Sequence, residues 1–175
     1  SPVLLSAEKL HPDRGTQIGR SSTSVPQSQF KSSVRTIEIQ GTEDEDYLLE
    51  TWGVDPLVVQ EYRKDGITQL YPWQVGILQL RNVFLGKSNL IYCAPTSGGK
   101  TLVCEILMLK RLTAPQNRSK KAFFIVPFIS IVEEKVEQLQ KRFRSTGLKI
   151  GAYFSNTGGS IRTREFTDTN IIVCT

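Results

Sequence analysis

The sequence has few of the residues that build metal centres and disulfide frameworks. It contains three cysteines, one histidine and one methionine in 175 residues. Cys93, Cys104 and Cys174 lie in apolar runs without C-x-x-C spacing, and His11 lies in a polar segment. This distribution argues against a zinc site or a disulfide-stapled scaffold, and it predicts free thiols packed in a core in a reducing compartment.

Long hydrophobic runs are also missing. No stretch of about 18 apolar residues could span a bilayer, and the opening S-P-V-L-L-S-A-E-K is too short for the apolar part of a signal peptide. We therefore expect a soluble, intracellular protein with no membrane partner. Because the chain opens at Ser1 and its single methionine is Met108, we also expect a segment of a longer protein. A net charge of +5 favours a polyanionic partner such as nucleic acid without establishing one.

The first part of the chain differs in composition from the rest. Residues 1–46 are rich in Ser, Thr, Gln and Pro and end in an acidic run from Glu43 to Asp46. Such a segment has too few large apolar side chains to offset the entropy of ordering, so we expect a disordered tail and an acidic linker. Residues 47–175 are predicted to form the folded domain.

Helix and strand patterns alternate through the folded part. Helices are predicted at residues 56–64, 73–84, 100–112 and 130–146. Strands are predicted at residues 89–93, 122–126, 149–153 and 170–174. Because parallel strands need crossover connections, this order predicts an α/β fold with a mostly parallel sheet flanked by helices.

A phosphate-binding pattern follows the first predicted strand. Its letters are A-P-T-S-G-G-K-T, from Ala94 to Thr101, with Ala in place of the usual first Gly. Gly98 and Gly99 allow the backbone to turn its N–H groups towards phosphate oxygens, and the following helix presents its positive end to them. The pattern predicts that Lys100 bridges the β and γ phosphates and that Thr101 ligates Mg²⁺.

A phosphate loop does not by itself identify an enzyme, since kinases, GTPases and transport ATPases share it. A chance G-K-T at a helix start is the structural alternative, and the flanking strand and helix argue against it. The predicted nucleotide-binding residues of the loop are Thr96, Ser97, Gly98, Gly99, Lys100 and Thr101.

Three strings resemble motifs of the superfamily-2 helicases. The phosphate loop followed by L-V-C-E-I-L resembles motif I, and L-Y-P-W-Q, from Leu70 to Gln74, resembles the Q motif. The string V-P-F-I-S-I-V-E-E-K, from Val126 to Lys135, resembles motif Ia of the DNA helicases related to the helicase domain of polymerase theta and to helicase Q. The resemblance covers roughly residues 47–175. It implies the first RecA-like domain of an ATP-dependent DNA helicase.

The resemblance assigns base recognition to Gln74. In that family the Q-motif glutamine reads the adenine edge, and an amide offers the donor and acceptor that suit the adenine N6 and N7 positions. The alternative is a solvated residue on a first helical turn. Tyr62 is a second candidate for the adenine pocket, with packing between helices as its alternative.

The resemblance also predicts a nucleic-acid contact at motif Ia, which grips the sugar-phosphate backbone in that family. The assigned residues are Pro127, Phe128, Ile129 and Ser130. Ser130 and Glu133 also match the S-x-x-E capping box, so capping of the next helix is an alternative for the Ser130 hydroxyl. The segment from Phe154 to Arg164, with two glycines and two arginines, is either another strand-binding loop or a basic surface turn.

The resemblance implies ATP and Mg²⁺ as cofactors, and single-stranded or partly duplex nucleic acid, with DNA favoured, as partner. It also implies a role in DNA repair and a location in the nucleus. The sequence contains neither a D-E-x-H box nor a second RecA-like domain with an arginine finger, which superfamily-2 ATPases need. We therefore expect the chain alone to be inactive. A small-molecule kinase and a non-catalytic binding module are the alternative functions.

Overall fold

The computed structural model of the protein describes residues 4–9, 43–117, 119–154 and 167–175. Its strands are β1 (Leu4–Lys9), β2 (Ser88–Cys93), β3 (Ala122–Ile125), β4 (Ile150–Tyr153) and β5 (Ile171–Cys174). Its α-helices are α1 (Pro56–Lys64), α2 (Pro72–Leu78), α3 (Arg81–Phe84), α4 (Lys100–Leu112) and α5 (Ile129–Arg142). Short 3-10 helices occupy Asp44–Tyr47, Leu49–Trp52, Pro115–Asn117 and Arg144–Thr146. The alternation confirms the predicted α/β class. None of the described helices is long and apolar enough to cross a membrane.

Three strands form a parallel sheet in the order β3-β5-β4. Ile171 of β5 lies opposite Ala122 on one side and Ile150 on the other. The β5 side chains Ile171, Ile172 and Val173 are buried. This continuous apolar run is what a central parallel strand requires, because both of its faces are covered.

Strand β2 pairs with β1 in an antiparallel ribbon, with Leu4 opposite Cys93 and Lys9 opposite Ser88. The sequence predicts β2 and β3 in one sheet, whereas the described residues place them in separate sheets with a cavity of about 690 Å³ between β2, α4 and β3. Residues 4–9 also fall within the expected disordered tail. Pairing with an open strand edge satisfies their backbone groups, which a composition argument does not take into account. Residues 10–42 lie outside the described part.

The bounds of α1 and α4 follow local sequence signals, whereas the helix predicted over residues 73–84 does not form as one piece. The Asp55 carboxylate accepts the Leu57 N–H at 2.9 Å and Pro56 occupies the first position of α1, as predicted. Helix α4 has the predicted bounds. The predicted helix over 73–84 is divided into α2 and α3, because Leu80 has a non-helical ψ of 89°. The apolar spacing continues across this break, so periodicity does not reveal it.

Helices α1, α4 and α5 meet at the carboxylate of Glu105, which is fully buried on α4. It accepts hydrogen bonds from the Tyr62 hydroxyl at 2.7 Å and from the Arg142 guanidinium at 3.0 Å. The Lys135 ammonium lies 3.7 Å from it, and Arg142 also pairs with Asp65 at 2.9 Å. We call Tyr62, Asp65, Glu105, Lys135 and Arg142 the buried charge cluster. It connects the helix that follows the phosphate loop to the helix that follows β3.

Two pKa shifts follow from this arrangement. Burial, reinforced by the charge and hydrogen bond of Glu105, raises the pKa of Tyr62 well above its ordinary value, so the phenol stays a donor. Burial works against the charged form of Asp65, but hydrogen bonds and charge from Arg142 and Lys141 outweigh it and lower the pKa of that carboxyl. Asp65 is therefore held ionised and the Tyr62 phenol neutral.

Candidate functional site

The phosphate loop occupies the connection between β2 and α4. Strand β2 ends at Cys93 and α4 begins at Lys100, so residues 94–99 form the loop itself. Thr96, Ser97 and Thr101 are exposed. This arrangement, in which a short glycine-containing loop leads from a strand into a helix N-terminus, allows backbone N–H groups and the helix dipole to attract phosphate. The structure therefore has the local geometry that the sequence predicts.

The loop conformation depends on residues that adopt or permit a left-handed turn. Gly99 has φ of +76°, and Ser97 has φ of +61°, which is uncommon for a residue with a side chain. A Cβ on Gly98 would lie 2.8 Å from the Pro95 carbonyl oxygen, and a Cβ on Gly99 would lie 2.6 Å from the Gln74 amide nitrogen. Gly98 is therefore required by its close contact with the backbone, and Gly99 by its left-handed backbone angle as well as its contact with Gln74.

The Lys100 ammonium is held by the loop that precedes it. It donates to the Ala94 carbonyl at 2.9 Å and to the Pro95 carbonyl at 2.8 Å. These contacts fix the positive charge across the loop. A phosphate oxygen is a stronger acceptor for an ammonium than a neutral carbonyl, so Lys100 can exchange these partners for an anionic ligand.

Gln74 is buried and its amide is engaged at both ends. Its Oε1 accepts the Tyr71 backbone N–H at 2.7 Å, and its Nε2 donates to the Gly99 carbonyl at 2.8 Å. The structure thus brings the Q-motif glutamine against the phosphate loop, 25 residues away in sequence. The alternative, a solvated residue on a first helical turn, is wrong, because the side chain turns back to cap α2 and reaches the loop. Recognition of adenine stays a prediction.

A tyrosine of β2 supports the first turn of α4. The Tyr92 hydroxyl donates to the Lys100 carbonyl at 2.6 Å and lies 2.9 Å from the Cys104 sulfur. Burial, and then the contact with Cys104, raises the pKa of Tyr92, which keeps this hydroxyl protonated. The Trp73 ring packs against Tyr92, with centroids 5.8 Å apart. This contact joins the Q-motif helix to the strand before the phosphate loop.

The predicted packing of the cysteines is wrong at two positions. Cys93 and Cys104 are exposed, while Cys174 is partly buried; all three are free thiols. Cys93 ends a strand whose side chains alternate between exposed and half-buried, so the apolar composition of the run does not imply burial.

The motif Ia residues Pro127, Phe128, Ile129 and Ser130 are all exposed at the start of α5. The helix begins at Ile129, and its N-terminal cap residue is Phe128, which makes no side-chain capping bond. The predicted capping box at Ser130 and Glu133 is therefore wrong, because Ser130 already lies inside the first turn. The Ile131 N–H donates to the Phe128 carbonyl at 3.1 Å. The N–H groups of Ile129 and Ser130 remain the ones that a helix start directs outward.

Three further predictions have different outcomes. Tyr62 does not line an adenine pocket, because it is fully buried in the charge cluster. Glu105 was not predicted, although a single acid within the apolar run from Leu102 to Leu109 is a signal of a buried partner. The sequence analysis also did not single out Tyr71, although its place as an aromatic residue directly before P-W-Q was a signal that could have identified it. Most of the segment from Phe154 to Arg164 lies outside the described residues.

Comparison with known proteins adds a family match. Residues 78–175 match the family model described as DEAD/DEAH box helicase. The chain is 38% identical over 175 residues to DNA polymerase theta of Mus musculus, covering all of this chain and 6% of that protein. It is 43% identical over 95 residues to the human protein named Helicase POLQ-like, covering 54% of this chain and 8% of that one.

An archaeal relative and a solved structure extend the comparison. The chain is 33% identical over 114 residues to ATP-dependent DNA helicase Hel308 of Methanococcus vannielii, covering 63% of this chain and 14% of that protein. A crystal structure of the DUF1998 helicase MrfA bound to DNA and AMPPNP superimposes with a TM-score of 0.54 at 22% identity, over 69% of this chain and 17% of that one. That likeness shows a shared fold. The chain spans only a small part of each of these relatives.

Proposed function

This chain belongs to the DEAD/DEAH box helicase family, and from that we propose that it is the nucleotide-binding part of an ATP-dependent helicase or translocase that acts on DNA. Family membership excludes the small-molecule kinase that the phosphate loop alone left open. The observation that carries the proposal is the contact between two motifs. Gln74 donates to the Gly99 carbonyl, so an amide suited to a base edge sits beside a loop suited to phosphates.

In the proposed site Lys100 neutralises the β and γ phosphates, and the loop N–H groups orient them. The chemistry of phosphoryl transfer needs positioning and charge neutralisation more than covalent help, so one lysine charge has a large effect. Reading the base requires the Gln74 amide to exchange at least one of its two backbone partners for adenine. Lys100 and Gln74 would thus both give up a hydrogen bond to a carbonyl of the same short loop when the nucleotide binds.

Mg²⁺ is part of the proposal. The Thr101 hydroxyl is exposed on the first turn of α4, next to Lys100, where a hydroxyl ligand is compatible with an ion that otherwise binds phosphate oxygens and water. When bound, the ion would neutralise charge on the transferred phosphoryl group. The acids that complete such a site in superfamily-2 enzymes do not occur as a D-E-x-H box in this sequence.

Nucleic-acid binding is proposed at the exposed start of α5. The N–H groups there face outward and the helix dipole favours an anion, so contact is expected with phosphates and not with base edges. DNA is favoured because the similar proteins include a DNA polymerase and a protein named as an ATP-dependent DNA helicase. A function in DNA repair and a location in the nucleus belong to the same proposal, since both depend on the likeness to polymerase theta.

The decisive experiment measures ATP hydrolysis by the full-length protein with single-stranded DNA, with single-stranded RNA and without nucleic acid. We expect stimulation by DNA and a loss of at least about a hundredfold for Lys100→Ala, the scale of removing one charge-stabilising group. Lys110→Ala, an exposed lysine at the other end of α4, is the matched control. Full turnover in Lys100→Ala would refute the proposed site. No turnover with either nucleic acid would favour a non-catalytic binding module.

A second experiment tests the α5 contact. Proline is tolerated at the first helical position, and Phe128 before it already has the extended angles, φ of −132° and ψ of 140°, that a residue before proline adopts. Ile129→Pro therefore removes one N–H without breaking the helix, whereas Ile129→Ala keeps it. We expect Ile129→Pro alone to weaken DNA binding by about tenfold at low salt. Equal affinities of the two variants would argue against this contact.

A further inference from the structure

Lys135 is the most loosely held member of the buried charge cluster. Its ammonium lies 3.7 Å from the Glu105 carboxylate, whereas a charge-assisted hydrogen bond of this kind is about 2.7–2.9 Å long. The ammonium donates instead to the Gln138 Oε1 on its own helix. By contrast, the Tyr62 hydroxyl and the Arg142 guanidinium donate to the carboxylate at 2.7 and 3.0 Å. Lys135 is therefore the contact between α4 and α5 that has room to change.

The Glu105–Lys135 pair lies one helical turn beyond the two places where ligands are proposed to bind. On α4, Thr101 precedes Glu105 by four residues, and on α5, Ile131 of the first turn precedes Lys135 by four residues. Four residues correspond to about one turn and roughly 6 Å of helix. Because a helix is rigid over so short a length, a change in the separation of this pair moves the start of α4 relative to the start of α5.

The Lys135 ammonium has two alternative acceptors within reach. It bonds to Gln138 and faces the Phe124 ring of β3, with 5.7 Å to the ring centroid. The alternative is the Glu105 Oε1, which accepts from Arg142 at 3.2 Å and can accept a second donor. An approach of about 1 Å would exchange one acceptor for the other, and shifts of about 1–2 Å between packed helices are typical of conformational transitions.

We propose that Lys135 is the positioning residue that couples the phosphate loop to the nucleic-acid contact at the start of α5. This inference rests on the proposed function and deepens it. The two helix starts are further apart when Lys135 bonds to Gln138, and closer together when it bonds to Glu105. Nucleotide and DNA each favour the same one of these arrangements, so each changes the affinity of the other by the same factor. The two ligands need not touch.

The test measures the Kd of the full-length protein for fluorescein-labelled oligothymidylate by anisotropy, with and without the ATP analogue AMPPNP. In wild type we expect the two Kd values to differ by at least about fivefold. Lys135→Met removes the ammonium and should bring its two values within about twofold of each other, because no exchange of acceptors remains. Lys141→Met removes an exposed lysine of the same helix and should keep the wild-type ratio, which controls for loss of charge near DNA.

A second variant acts on the same exchange from the other side. Gln138→Ala removes the acceptor that holds Lys135 away from Glu105, so it favours the arrangement that Lys135→Met cannot form. Without AMPPNP, the Kd values of these two variants should therefore differ by about the factor that AMPPNP produces in wild type. A lysine that only stabilises the fold would not give this result, since both variants would then weaken DNA binding together.

Three results would overturn the inference. They are wild-type Kd values that AMPPNP does not change, a Lys135→Met variant that keeps the wild-type ratio, and equal Kd values for Lys135→Met and Gln138→Ala without AMPPNP. Failure of the proposed function would be seen separately, as AMPPNP binding that is absent or does not depend on Lys100 when it is measured directly.

Discussion

Glu105→Gln removes the negative charge at the centre of the buried charge cluster while keeping the size of the side chain. The carboxylate accepts from Tyr62 and Arg142, and Lys135 lies within 3.7 Å of it. A glutamine presents an NH₂ group to at least one of these donors. The variant therefore leaves a buried cation with less compensation and a buried donor without an acceptor.

The size of the effect follows from which contacts survive. Removing one partner of a buried ion pair typically costs about 3–5 kcal/mol. Arg142 keeps its bonds to Asp65, at 2.9 and 3.0 Å, so we expect the lower end, about 3 kcal/mol. This corresponds to a change of roughly a hundredfold in the unfolding equilibrium. Urea unfolding of the chain, followed by the fluorescence of Trp52 and Trp73, measures it directly.

An exposed ion pair provides the control. Glu50 and Arg63 are 2.6 Å apart, with side chains 40% and 50% exposed, and Glu50→Gln should cost no more than about 1 kcal/mol. The double variant Glu105→Leu with Arg142→Leu should be more stable than the sum of the two single variants predicts, because it removes both buried charges. If Glu105→Gln is as stable as Glu50→Gln, the cluster does not hold the three helices together as described.

Two further predictions concern Asp65 and Gln74. The pKa of Asp65 is lowered on folding, so its contribution to stability is present above the ordinary carboxyl value of 3.8 and is lost as the pH falls below that value, through the folded pKa. Asp65→Asn should therefore make the free energy of urea unfolding less sensitive to pH between about 2 and 4. An unchanged pH profile would contradict the lowered pKa. Gln74→Ala should weaken ATP use and narrow the preference for ATP over GTP in steady-state kinetics. A constant ratio would remove the base-recognition role.

Local signals in the sequence were sufficient to predict the phosphate loop and the strand and helix on either side of it. The apolar run before Ala94, the glycines and the amphipathic pattern from Lys100 to Leu112 act within about 25 residues, and the structure reproduces their bounds to within one residue. The family resemblance was likewise confirmed by the match over residues 78–175. Short-range patterns are reliable here because a strand, a turn and a helix each depend mainly on neighbouring residues.

The features that the sequence did not reveal depend on distant partners. Tyr62 is buried because Glu105 lies opposite it, 43 residues along the chain. The Gln74 amide points inward because the Gly99 carbonyl accepts from it. The break at Leu80 has no glycine or proline to announce it. Each of these depends on tertiary packing, which single-sequence periodicity does not contain.

The close approach of Gly99 to the Gln74 amide has a consequence for sequence evolution. A side chain at position 99 would lie 2.6 Å from the Gln74 Nε2 and would also strain a backbone with φ of +76°. A smaller residue at position 74 would relieve the contact but not the backbone strain. Position 99 should therefore stay glycine in related sequences even where position 74 has changed.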